Sequence, residues 1–176
     1  MKSNHSFSLF IACILAASAA SAETGAAVIK GTIEGAALTG MVALQDTPDG
    51  LQVTAKLRGL PPGQHGFHIH EFGDCGDLGK AAGSHYNPLH AGHGDVMKAG
   101  MKHAHAGDMG NITADANGEA SVQVVIKKLT LSGGKYGAAG RALIIHENPD
   151  DFSQPAGNAG GRIGCGVIVI VPPAKS

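Results

Sequence analysis

The chain has 176 residues and nearly balanced charge, with 13 Lys and Arg against 14 Asp and Glu. That length is typical of one ordinary domain rather than two. A hydrophobic fraction of 43% with 15% charged residues argues against a disordered chain, and the lack of a Lys/Arg stripe argues against a nucleic-acid binder. Glycine is abundant at 27 residues, and the 10 histidines call for a search for a metal site.

The first 22 residues have the pattern of a cleaved secretory signal. A polar start with Lys2 precedes an apolar stretch over residues 7–17 and small residues at 20–22. A membrane anchor would need roughly 20 apolar residues, and lipidation of Cys13 is disfavoured because the apolar run continues past it. We therefore predict a signal peptide over 1–22, one domain over 23–176, and a periplasmic or secreted protein without membrane attachment after cleavage.

Two cysteines follow the predicted signal, Cys75 and Cys165. In an exported protein such a pair is most simply a disulfide, and the alternative is two unrelated buried thiols. Closing a loop of about 90 residues stabilises a fold by roughly 4 to 5 kcal/mol in the chain-entropy model.

Short strands separated by turns are predicted along the chain. Residues 51–58 alternate between apolar and polar side chains and form a hairpin with residues 38–45. A second hairpin joins residues 111–115 and 119–126 around a turn at 116–118. Further strands are expected at residues 27–33, 65–70, 141–146 and 165–171.

About eight strands without a sustained helical period predict an all-β fold, an antiparallel sandwich or barrel. Two Gly-rich polar stretches, residues 71–109 and 147–164, do not fit strands. They are longer than loops usually are without a functional reason. The first of them holds five of the ten histidines.

His68 and His70 stand two apart on a predicted strand, so both imidazoles project to the same face and can bind one ion. Two polar residues on a solvated face would give the same pattern. His146 ends an apolar strand, where a satisfied core histidine is the usual interpretation.

The first long loop offers a second candidate ligand set. Three imidazole nitrogens and one carboxylate oxygen suit tetrahedral Zn(II), and they come from His85, His93, His105 and Asp108. The alternative is a flexible solvated loop. Ordering such a loop without an ion inside it would cost conformational entropy for little burial.

Four motifs resemble those of copper/zinc superoxide dismutases, and in the family's order they cover essentially the whole mature chain. They are GFHIHEFGD at 66–74, GSHYNP at 83–88, HAGDMGN at 105–111 and GNAGGRIGCGVI at 157–168. The resemblance implies an eight-stranded antiparallel Greek-key fold. It also implies an enzyme that converts superoxide to O₂ and H₂O₂ by alternate reduction and reoxidation of one copper ion, bridged through histidine to one zinc ion.

The resemblance further implies a role for each matching residue. The copper ligands would be His68, His70, His85 and His146. The zinc ligands would be His85, His93, His105 and Asp108. Arg162 would receive the anion beside copper, and Asp150 would hydrogen-bond ligands of both metals. Cys75 and Cys165 would form the family's internal disulfide, and His65 would brace the backbone without binding metal.

The chain combines features of two branches of this family. Cys75 follows His70 by five residues, which resembles the secreted bacterial branch, whereas residues 158–162 look closer to the branch common in eukaryotes. The resemblance allows a homodimer without fixing its geometry, because subunit contacts differ between branches.

Several charged and histidine residues have no place in the matched motifs. His90 and His103 have no family role, and we interpret them as solvated. The loop at 147–161 contains no Lys or Arg. Any steering of superoxide would therefore fall to lysines such as Lys98, Lys102 or Lys135.

Two other functions compete with the enzyme. One is a non-enzymatic export-compartment protein that stores or carries copper or zinc on the same sandwich. The other is a zinc-stabilised structural domain that engages a protein partner. Arg162 argues against a carrier, which would gain little from a cation beside its copper.

Overall fold

The computed structural model describes residues 22–172. The predicted signal over 1–22 lies outside the described residues except for its last position, as do residues 173–176 of the predicted domain. Nine strands follow in chain order: β1 (Thr24–Gly31), β2 (Thr39–Thr47), β3 (Gly50–Arg58), β4 (Gly63–His70), β5 (Asp108–Ala114), β6 (Ala120–Ile126), β7 (Ala142–His146), β8 (Arg162–Val167) and β9 (Val169–Val171).

The strands form one antiparallel sheet in the order β2-β3-β6-β5-β4-β7-β8-β1-β9, and β1 also pairs with β2. That second pairing closes the first eight strands into a barrel, which confirms the predicted eight-stranded antiparallel fold. The last predicted strand is interrupted at Ile168. Its side chain is fully buried and its backbone bonds Gly140 and Arg141 of the preceding loop, so β9 is a short extension.

Period-2 alternation explains the strands that surround the core. On β3, Leu51, Val53, Ala55 and Leu57 are buried, while the residues between them point outward. The predicted hairpin from β2 to β3 is confirmed, with Thr47 opposite Gly50. Strand β7 is different, because all five of its residues are buried. His146, at its end, is therefore buried against the core.

The first long loop ends two residues earlier than predicted, at residue 107. Asp108 and Met109 already belong to β5 because Asp108 pairs with His68 across the sheet. Within the loop lie a 3-10 helix at Lys80–Ala82 and the four-residue helix α1, Val96–Ala99. The register between β4 and β5 therefore brings a carboxylate next to the strand that carries two histidines.

Three backbone hydrogen bonds tie separate segments together beside the histidines. The Ile69 N–H donates to Gly107 O at 3.0 Å, the Tyr86 N–H to Ile69 O at 2.8 Å, and the Gly107 N–H to Tyr86 O at 3.0 Å. A β-carbon at Gly107 would collide with the Ile69 carbonyl oxygen, so glycine is needed for this close approach. The ring of bonds fixes β4 against both parts of the loop.

A disulfide joins Cys75 to Cys165 across 90 residues of sequence, which confirms the predicted bridge. It tethers the start of the first long loop to β8, the strand that begins at Arg162. Between residues 22 and 172, no helix has the length and apolar character needed to cross a membrane.

Candidate metal centre

Two adjacent strands and one loop bring four histidines together. β4 carries His68 and His70, its neighbour β7 ends at His146, and His85 forms an isolated bridge with His70. All four are buried, and one ring nitrogen from each lies within 4.8 Å of the others. The prediction that His68 and His70 share a face is confirmed, and His146 joins them rather than being only a core residue.

A second group consists of three rings around the Asp108 carboxylate. Oδ1 of Asp108 lies 2.7 Å from His85 Nδ1 and 3.1 Å from His105 Nδ1, and Oδ2 lies 2.9 Å from His93 Nδ1. Their ligand atoms also lie within 4.8 Å of one another. Three nitrogens and one oxygen make a closed four-ligand set that suits zinc.

His85 belongs to both groups. Its ring centroid lies within 6.0 Å of the centroids of five other histidine rings, those of His68, His70, His93, His105 and His146. Because Nδ1 faces Asp108, Nε2 is the atom left for the four-histidine group. A single ring can therefore serve two ions.

Hydrogen bonds to carbonyl oxygens set the tautomers of two rings. Nδ1 of His70 donates to Gly83 O at 3.0 Å, and Nδ1 of His146 donates to Gly160 O at 3.4 Å. Both Nε2 atoms then carry lone pairs, and they lie 3.3 Å apart. Two neutral rings in these tautomers cannot hydrogen-bond to each other through those atoms, and a cation between them would be a stabilising partner.

Two buried ring nitrogens have no hydrogen-bond partner among the described residues, His68 Nδ1 and His93 Nδ1. Buried polar atoms are rarely left unsatisfied in proteins. Nδ1 of His93 lies 2.9 Å from an oxygen of Asp108 without the orientation of a hydrogen bond. Both atoms therefore fit the role of metal ligands.

Burial keeps three rings of the four-histidine group unprotonated. It lowers the pKa of His68 to about 4 despite the Asp150 carboxylate, and it lowers the pKa of His146 to about 3 with help from the neighbouring His68 and His85. Burial and His85 together hold the pKa of His70 well below its usual range. Neutral imidazoles are the form that binds metal ions, so these rings compete with few protons at neutral pH.

Asp150 links the two groups from the second long loop. Its Oδ2 lies 2.8 Å from His68 Nε2 and its Oδ1 lies 2.9 Å from His93 Nε2. Burial alone would raise the pKa of this carboxyl, but its contacts with His68 and His93 hold it below the usual range. A carboxylate that accepts a hydrogen bond from a histidine fixes the orientation of the ring and raises the basicity of the other ring nitrogen.

Burial and two carboxylates shift the pKa of His93 in opposite directions. Burial would lower its pKa, but the carboxylates of Asp108 and Asp150 outweigh burial and raise the pKa to about 9. The pKa of Asp108 is likewise held well below its usual range by His105, His85 and His93, against the effect of burial. This pocket favours positive charge, which a divalent ion can supply in place of the proton.

A cavity of about 540 Å³ opens over the four-histidine group, and its lining includes His70, His85, His105, His146 and Arg162. Arg162 donates 2.6 Å hydrogen bonds to the carbonyl oxygens of Gly79 and Gly83. Gly83 O also accepts a hydrogen bond from His70, so one carbonyl positions both the His70 ring and the Arg162 guanidinium. Arg162 is in none of the ion pairs found among residues 22–172.

None of the three lysines considered for steering lines this cavity. Lys98 and Lys102 line a different cavity of about 520 Å³, together with Lys127 and Lys128. Lys135 lies 5.4 Å above the ring of Tyr136. Within the described chain, Arg162 is therefore the only Lys or Arg that lines the cavity over the four histidines.

The other histidines lie outside both groups. The ring of His65 lies between two carbonyl oxygens, 2.9 Å from that of His146 and 2.8 Å from that of Pro61, and so braces the end of β7. His90 and His103 are exposed.

Two side-chain amides beside the site hold the backbone of site residues. Asn111 donates to Asp150 O at 2.9 Å and accepts from the Asp150 N–H at 2.7 Å. Gln154 donates to His93 O at 2.9 Å and accepts from the His93 N–H at 3.0 Å. Asn111 lies within a matched motif, but no periodicity or spacing marks Gln154.

Comparisons with known proteins agree with this geometry. The family described as "Copper/zinc superoxide dismutase (SODC)" matches residues 38–168. The Arabidopsis thaliana protein "Superoxide dismutase [Cu-Zn] 3" is 44% identical over 132 residues, which cover 71% of this chain and 78% of the relative.

The fold is also similar to a solved structure, "Crystal Structure Analysis of the clock protein EA4". It matches with a TM-score of 0.76 and 35% identity, over 88% of this chain and 98% of that one. The family match, the curated relative and the two histidine groups agree on chemistry as well as fold. The chain belongs to the copper/zinc superoxide dismutase family and is an oxidoreductase that uses copper and zinc to convert superoxide to O₂ and H₂O₂.

Proposed function

We propose a specific division of labour among the residues of the site. Copper is held by His68, His70, His85 and His146, and zinc by His85, His93, His105 and Asp108. The observation that carries this proposal is the membership of His85 in two groups whose ligand atoms each lie within 4.8 Å of one another. When bound, copper supplies one-electron redox chemistry, so that one superoxide is oxidised to O₂ and a second is reduced to H₂O₂.

Arg162 draws the anionic substrate and orients it. Its guanidinium bonds to two backbone carbonyls and has no carboxylate partner among the described ion pairs, so its charge stays available to a small anion. The four histidine rings that share its cavity bring no competing negative charge. The disulfide between Cys75 and Cys165 keeps the carbonyls that hold Arg162 close to β8.

His85 takes up and donates a proton at Nε2. Its Nε2 faces the four-histidine group while Nδ1 stays beside Asp108, so the ring keeps its place when Nε2 takes up a proton. H₂O₂ formation consumes two protons, and a protonated Nε2 at the cavity wall is positioned to donate one. Asp150 keeps His68 and His93 oriented on either side throughout.

Replacing Arg162 by isoleucine should slow superoxide decay by about tenfold or more, because a charge that focuses an anion is lost. Copper and zinc content should stay the same, since Arg162 ligates neither. The measurement is the rate of superoxide decay together with metal content of the same samples. Arg58→Ile, an exposed substitution on β3, is the control. An unchanged rate in Arg162→Ile would mean that Arg162 does not guide the substrate.

Replacing His85 by alanine should abolish the spectroscopic signature of coupled copper and zinc, because no other ring belongs to both groups. The electronic and paramagnetic resonance spectra of the metal-loaded protein measure this. His90→Ala removes an exposed histidine and should leave the spectra as they are. A His85→Ala spectrum identical to that of the wild type would rule out the bridge.

We propose that residues 1–22 are a cleaved leader and that the domain over 23–176 works in the periplasm or outside the cell, as in the secreted bacterial branch. The disulfide supports this, because disulfides persist in oxidising compartments. The mass of the protein recovered from the exported fraction should correspond to a chain beginning at residue 23. An uncleaved chain retained inside the cell would contradict the proposal.

We propose that the protein forms a homodimer through an apolar face around β9. Val169, Ile170 and Val171 are all exposed, and β9 is the last strand in the sheet order. Val28 on β1 and Phe72 after β4 are also exposed, at 53% and 54%. An apolar edge strand is a surface that a second copy can cover.

Ile170→Lys should convert the dimer to a monomer, as measured by sedimentation velocity, because it places a charge in the middle of exposed β9. Ile33→Lys is the matched control, since Ile33 is 63% exposed but lies outside β9. A wild-type protein that sediments as a monomer at high concentration would refute the dimer.

A further inference from the structure

We infer that Gln154 is a positioning residue for the zinc ligand His93, an inference that rests on the zinc assignment proposed above. The Gln154 amide brackets the backbone of one residue: Oε1 accepts from the His93 N–H at 3.0 Å and Nε2 donates to the His93 carbonyl at 2.9 Å. The two residues are 61 positions apart in sequence.

The backbone of His93 has little else to hold it. His93 lies in neither a helix nor a strand, so no regular ladder of hydrogen bonds fixes its N–H and carbonyl groups. Among the hydrogen bonds of residues 22–172, Gln154 is the only partner of these two groups. A single planar amide therefore sets both the position and the orientation of this peptide segment.

The ring of His93 is held separately by Asp150, whose Oδ1 lies 2.9 Å from Nε2. With the backbone fixed by Gln154 and Nε2 fixed by Asp150, Nδ1 has one direction left, toward Asp108. Asn111 brackets the backbone of Asp150 in the same manner as Gln154 brackets His93. The contact between His93 and Asp150 is thus supported by an amide clamp on each partner.

Gln154 also connects the zinc side of the site to the loop that covers the copper side. Pro155 and Ala156 follow it directly and line the cavity shared with Arg162. Zinc binding at His93 and the placement of this cavity wall are therefore mechanically coupled through one side chain. Loss of the amide should weaken zinc binding more than copper binding, because the copper-side rings of His68, His70 and His146 are carried by strands.

The test compares Gln154→Met and Gln154→Ala with the wild type. Methionine keeps the length of the side chain without its hydrogen bonds, and alanine removes both. Gln154 is exposed, so neither change disturbs the core. Gln123→Met, an exposed glutamine on β6, is the matched control. Zinc and copper affinities are measured by chelator competition, and Co(II) loaded in place of zinc reports ligand geometry through its visible absorption.

Both Gln154 variants should bind zinc about tenfold more weakly, the size of effect typical when support behind a ligand is lost. Their Co(II) spectra should change, and copper affinity should match that of the wild type. Unchanged zinc affinity, or equal weakening of zinc and copper, would overturn the inference.

A His93→Ala variant in the same assay separates this inference from the assignment beneath it. If His93→Ala leaves zinc affinity unchanged, the zinc assignment itself is wrong. If His93→Ala weakens zinc binding and the Gln154 variants do not, the assignment stands and only the role of Gln154 fails.

Discussion

The site depends on burying imidazoles in their neutral form, with ring nitrogens left free to bind an ion. Burial holds the pKa of His68, His70 and His146 low, so protons do not fill the space between them at neutral pH. The Nε2 atoms of His70 and His146 lie 3.3 Å apart, and Nδ1 of His68 has no partner among the described residues. A metal ion bound among these rings would satisfy all three atoms at once.

The two ligand groups draw on different parts of the fold. The four-histidine group uses strands, whose hydrogen-bonded ladders make the positions of His68, His70 and His146 rigid. The group around Asp108 takes its histidines from a long loop that must be fixed by other means. The Gly107 backbone bonds and the amide clamps supply that order, and Asp150 joins the two sides. The four-histidine group is thus held by strands and the group around Asp108 by loop contacts, and both include the ring of His85.

Charge is distributed to match a small anionic substrate. Asp108 and Asp150 remain ionised on the buried side, where histidine contacts balance them. Arg162 stands on the open side, held by carbonyl oxygens rather than by a carboxylate. The lysine cluster around Lys102 and Lys127 lines another cavity, so attraction at the mouth of the site comes chiefly from one guanidinium.

By itself, the sequence determined the features that are encoded over a few neighbouring residues. Period-2 alternation predicted strands such as β3, the spacing of His68 and His70 put both rings on one face, and contiguous motifs identified the family. Tertiary structure decided what depends on residues brought together from far apart. The pairing of Asp108 with His68 extended β5 into the predicted loop. The carbonyls of Gly83 and Gly160 set the tautomers of the His70 and His146 rings. Gln154 contacts His93 across 61 positions of sequence. No local pattern records such contacts, because their geometry exists only after the barrel has closed.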